Sequence, residues 1–95
     1  MELNLQEIRE QLDRIDDQMI DLFSRRMRMV SEVAAYKKEK GLPILDKGRE
    51  DAILERLGQK AGDELAQYAK RMYETLFAVS REYQAAQLDQ SGEMR

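Results

Sequence analysis

The chain has 95 residues, enough for one small domain, and it contains no Cys and no His; disulfides, thiolate or imidazole catalysis and metal sites built on those ligands are excluded. Charged residues make up 37% of it, 16 basic against 19 acidic for a formal charge of −3, whereas a nucleic-acid binder usually carries a basic excess. No apolar run approaches the roughly 20 residues of a membrane span and no signal-peptide pattern opens the chain, so a cytoplasmic protein that binds neither membrane nor nucleic acid is expected.

A single Pro, five Gly and an abundance of Ala, Leu, Glu, Lys, Arg, Gln and Met, all good helix formers, predict an all-α domain. The first element reads from Leu5 to Lys40. Its apolar residues Ile8, Leu12, Ile15, Met19 and Leu22 step by 4, 3, 4 and 3, the spacing of a helical seam rather than the alternation of a strand. Nothing interrupts it before Gly41-Leu42-Pro43, where a glycine cap and a following proline stop it. The spacing predicts one helix of about 36 residues, roughly 54 Å long. Asp46 is a natural N-cap for a second helix through Ile53, Leu54 and Leu57 that fades between Gly58 and Gly62. A third helix is expected from Asp63 or Glu64 to about Leu88, with Leu65, Met72, Leu76 and Tyr83 as its inner face. Residues 1–88 then form the domain, and 89–95 form a polar tail expected to be disordered.

These lengths conflict with a compact monomer. A globule of this size has a radius of gyration near 12 Å and a diameter of roughly 30–35 Å, which the first helix overshoots by about 20 Å. Its far end would carry an apolar seam with no cover. A homodimer with the long helices packed together resolves the conflict; the alternative is a kink between Arg25 and Met29 in a monomeric bundle.

Polar residues interrupt the apolar lines. After Leu22 the seam of the first helix steps onto Arg26, and after Val33 onto Lys37. These two cations lie about three turns and roughly 16 Å apart on one side of the helix. They either close around a small anion or snorkel to water. On the third helix the line Met72, Leu76 continues to Ser80 and Gln84, a hydroxyl and an amide on one face, or else a self-bonded serine and a rim residue. Asp46 and Glu50, with Arg49 between them, open the second helix, where the helix dipole already favours acidic residues. Together the set has the makeup of a pocket for a small anionic, hydroxylated ligand. It holds no nucleophile with an activating base, so any catalysis would act through shape and charge.

The ordered stretches Ile8-Arg9-Glu10, Ile15-Asp16, Arg25-Arg26, Lys37, Pro43-Ile44 with Asp46, Arg49 and Glu50, and Ser80-Arg81-Glu82-Tyr83-Gln84 resemble the all-helical class of chorismate mutases, from about Leu5 to Gln87. The resemblance implies three helices per chain, an intertwined homodimer with shared active sites, no cofactor, no metal, and the rearrangement of chorismate to prephenate in aromatic amino acid biosynthesis. It implies that Arg9 from the partner chain and Arg26 from within the chain bind substrate carboxylates, with Ser80 beside one. It implies that Lys37 and Gln84 hydrogen-bond the ether oxygen, that Asp46 and Glu50 hold the ring hydroxyl, and that Arg49 supports that acidic pair. Helix geometry agrees on one point. Arg9 and Arg26 lie about 25 Å and about 100° apart on one helix, too far for one small ligand to touch both in one chain. The alternatives are an isochorismate pyruvate-lyase of the same fold, against which Glu50 speaks, and a non-catalytic helical dimerisation module, which would keep a strict apolar seam. Relatives of this class also occur fused to, or associated with, other aromatic-pathway enzymes.

Overall fold

The computed structural model of the protein describes residues 4–93, and of residues 89–93 it describes the backbone. The described residues form three α-helices, α1 (Leu5–Lys40), α2 (Lys47–Ala61) and α3 (Ala66–Glu93), and no strand. None of these helices is long and apolar enough to cross a membrane.

Local chemistry sets the ends. Asn4 caps α1, its side chain accepting from the Glu7 N–H at 3.2 Å. Gly41 ends the helix in the left-handed region at φ 68°, where its N–H and that of Leu42 reach back to the Lys38 and Lys37 carbonyls. Asp46 caps α2 as its position suggests, accepting from the Arg49 N–H at 3.0 Å. Gly58 does not end α2. It is buried within it, and a β-carbon there would lie 2.6 Å from Lys70 Cε of α3. The chain turns at Gly62, φ 86°, and α3 starts at Ala66, slightly later than the sequence suggests.

Its far end also differs, since the backbone stays helical through Glu93 rather than stopping near Leu88. Gln87 to Ser91 contain neither Gly nor Pro, so nothing in them breaks the hydrogen-bond ladder. The disorder expected for the tail concerns, at 94 and 95, positions outside the described residues.

α3 packs against both other helices, and α1 and α2 are joined through it. Contacts of Met27 with Ser80 and of Ser31 with Gln87 show α3 running in the same sense as α1. Pairings of Glu50 with Arg81 and of Gly58 with Lys70 show α2 running against α3. The small core lies where they meet, with Met27 and Ala34 from α1, Ile53 from α2 and Phe77 from α3.

That core uses only the second half of α1. The helix is unbroken through Arg25 to Met29, and the chain extends 63 × 29 × 15 Å with a radius of gyration of 17.3 Å. Along its first half Leu12, Ile15 and Met19 are each about half exposed. The expected inner face of α3 is displaced for the same reason. Leu65, Met72 and Tyr83 stand exposed, while Phe77, Ser80 and Gln84 face the core. Met72 and Leu76 instead line an apolar groove of about 360 Å³ with Met19, Ile20, Leu22 and Phe23 of α1.

Candidate active site

The polar residues on the buried faces converge. A cavity of about 260 Å³ lies between the second half of α1, the start of α2 and the middle of α3, lined by Arg26, Lys37, Asp46, Arg49, Glu50, Ser80, Arg81 and Gln84 among apolar side chains. Seven of the eight residues singled out from the sequence are in that wall. Arg9 is not among them; it stands exposed on the free half of α1.

Arg26, Lys37, Asp46, Glu50 and Arg81 are each held by a specific contact. The Arg26 guanidinium donates to Ser80 Oγ at 3.1 Å and lies 5.9 Å from the ring centres of both Tyr73 and Phe77. Those rings meet edge to face at 5.8 Å. The half-buried arginine is thus fixed by one hydrogen bond and two aromatic faces, which favour a cation. Snorkelling does not describe it, because its head is turned into the chain. Lys37 Nζ donates to the Ile44 carbonyl at 2.6 Å, which ties the last turn of α1 to the loop before α2. An ammonium has three donors, so two stay available to the cavity.

On α2 the two carboxylates have different tasks. Asp46 uses Oδ1 on the α2 cap, the local role that the helix dipole alone would explain. Glu50, one turn later, forms an ion pair with Arg81 of α3. Arg81 lies in the Ser80-Arg81-Glu82-Tyr83-Gln84 stretch that carries the resemblance, which implies no role for it. It sits three residues before Gln84 and four after Phe77, so the stripe Phe77, Arg81, Gln84 at helical spacing was the available signal.

Two buried polar residues complete the wall. Ser80 and Gln84 are 5% and 6% exposed. Ser80 is satisfied by Arg26 and a weak contact to Met27 Sδ at 3.8 Å. Gln84 Oε1 is buried without a hydrogen-bond partner. An unmet acceptor costs about 1–3 kcal/mol, and such groups are few in native proteins.

The charges are lopsided. Four cations, Arg26, Lys37, Arg49 and Arg81, face two carboxylates, Asp46 and Glu50. The cavity is therefore net +2 inside a chain of net −3. Fixed donors and cations in a part-buried concave site suit a small dianion.

Comparison with known proteins agrees with this chemistry. Residues 8–85 match the family described as chorismate mutase type II. The T-protein of Haemophilus influenzae is 41% identical over 51 residues, covering 54% of this chain and 14% of that protein. A chorismate mutase of Methanocaldococcus jannaschii is 38% identical over 53 residues, covering 56% of this chain and 54% of its own length. A 4-amino-4-deoxychorismate mutase of Streptomyces venezuelae is 32% identical over 59 residues, covering 62% and 57%. The matches thus span little more than half of the two shorter relatives and a small part of the T-protein. No solved structure matches the chain.

Proposed function

The chain belongs to the chorismate mutase type II family, and we propose that it rearranges chorismate to prephenate in a homodimer whose two sites each draw on both chains. The observation that carries this reading is the cavity's excess of two positive charges, with Arg26 fixed in place by Ser80.

The reaction is an intramolecular Claisen rearrangement. One C–O bond breaks as a C–C bond forms, and no proton need move, which suits a chain without His or Cys. Chorismate is a dianion whose side chain must fold over its ring. Arg26 binds one carboxylate, with Ser80 beside it, and Arg9 from the partner binds the other. Planar guanidinium forks suit carboxylates, and holding both selects the folded conformer. As the ether C–O bond stretches, negative charge grows on oxygen. Lys37 and the Gln84 amide stabilise that charge more in the transition state than in the ground state. Glu50 and Asp46 hold the ring hydroxyl, and Arg49 supports them.

The second copy is argued from the free half of α1. Seven large apolar residues of that half, Leu5 to Leu22, are at least 39% exposed. Covering each contributes on the order of 1 kcal/mol or more. Antiparallel pairing along this seam would also bring Arg9 of one chain towards Arg26 of the other. Association or fusion with another enzyme of aromatic biosynthesis, and work in the cytoplasm, are parts of the same reading.

The test is loss of chorismate absorbance with pure protein across a dilution series. Saturable turnover that falls as the dimer dissociates is expected. Turnover of isochorismate to pyruvate alone would give the lyase reading, and no turnover of either the dimerisation module. The Streptomyces relative raises one further substrate, 4-amino-4-deoxychorismate, in which an amine replaces the ring hydroxyl; Glu50 is the group that would meet it.

A further inference from the structure

The pairing of Glu50 with Arg81 reaches beyond the roles set out above. Glu50 opens α2 and Arg81 lies in mid-α3, so the contact joins two helices across the cavity wall. Both side chains line the cavity and are partly withdrawn from water, at 20% and 34% exposed, where charge is screened less than on an open surface. Asp46 gives Oδ1 to its cap, so of the two carboxylates that meet the ring substituent Glu50 is the one not tied to the backbone of its own helix. Pairing through Oε2 leaves Oε1 to accept a ligand donor.

We propose that Arg81 is a positioning residue that sets the ring substituent this site accepts: by pairing with Glu50 it turns that carboxylate into a partner for a neutral hydroxyl and against a cationic ammonium. The inference rests on the reading that Glu50 meets the ring substituent of a chorismate-like dianion. An unpaired carboxylate attracts an ammonium strongly. A carboxylate already neutralised by a guanidinium does not, and the guanidinium repels the incoming charge. A hydroxyl has neither difficulty. It donates to the carboxylate, and its oxygen accepts from a donor nearby. Arg81 also contributes to the overall balance, because without it the cavity falls from net +2 to net +1 and attracts a dianion less.

The rival explanation is a staple between α2 and α3. A staple affects folding and weakens turnover of every substrate alike. The experiment therefore reads a ratio: kcat/KM for chorismate over kcat/KM for its 4-amino-4-deoxy analogue, with wild type, Arg81→Met, Arg81→Gln and Arg81→Lys. Arg81→Met keeps the aliphatic stem, and Arg81→Gln keeps a hydrogen-bond donor; both drop the charge. In each, the ratio is expected to fall about tenfold, the change that 1.4 kcal/mol of altered charge interaction gives, with a raised KM for chorismate. Arg81→Lys is expected to hold the ratio within about threefold of wild type. If both charge-removing variants lower the two efficiencies together and leave the ratio unchanged, Arg81 is a staple and the proposal is overturned. If one of them does not fold, the other decides. A wild-type protein that turns over neither compound overturns the chorismate reading itself, an outcome separate from an active enzyme with an unmoved ratio.

Discussion

The two halves of α1 are one continuous helix with opposite fates. From Phe23 onward it lies against α3, buries Met27 and Ala34, and presents Arg26 and Lys37 to a cavity. Before Phe23 its seam is more regularly apolar, yet almost all of it is open to water. The half with the better hydrophobic pattern is thus the half without a partner inside the chain. Apolar periodicity reports that a face will be covered, and it is silent on which molecule covers it.

The largest expected effect comes from breaking the free half. Leu12→Glu with Ile15→Glu places two carboxylates in the seam and should abolish both the dimer and turnover, read by sedimentation velocity and by chorismate absorbance. The packed half is tested by Lys37→Ala, which should lower kcat by about 10²-fold or more with little change in KM, the behaviour of a lost donor to developing charge. A change confined to KM would contradict that role. Joining the halves of two chains is tested by mixing Arg9→Ala and Arg26→Ala proteins, each nearly inactive. Random exchange gives half mixed dimers with one intact site each, so about a quarter of wild-type activity should return. No recovery after demonstrated exchange would remove Arg9 from the partner's site. The smallest effect is expected from Tyr73→Leu, which takes away one of the two rings beside Arg26. A few-fold rise in KM, with kcat nearly kept, matches a cation–π contact of about 0.5–1 kcal/mol.

The helices were readable because their ends are local chemistry. Gly41 and Asp46 act within a few residues of themselves, so α1 and the start of α2 lie where the sequence puts them. The second helix ends at Ala61, within the expected range of Gly58 to Gly62, and of those two glycines Gly62 makes the turn while the smallness of Gly58 serves a contact with Lys70. The inner face of α3 misled because Met72 and Leu76 belong to a groove that one chain leaves uncovered. The convergence of Arg26, Lys37, Ser80 and Gln84 followed from polar residues interrupting apolar lines. The partnership of Arg81 with Glu50 did not, since spacing along α3 cannot say which α2 side chain will face it.

An unbroken α1 also works as a ruler. Between Arg9 and Arg26 there is no Gly, no Pro and no break in the helix to absorb a change in length. One residue inserted there would turn everything before it by about 100°. Seven would nearly restore the phase and still displace Arg9 by about 10 Å. The spacing of those seventeen positions is therefore a dimension of the protein in its own right, and insertions tolerated in the loop after Gly41 should be rejected here.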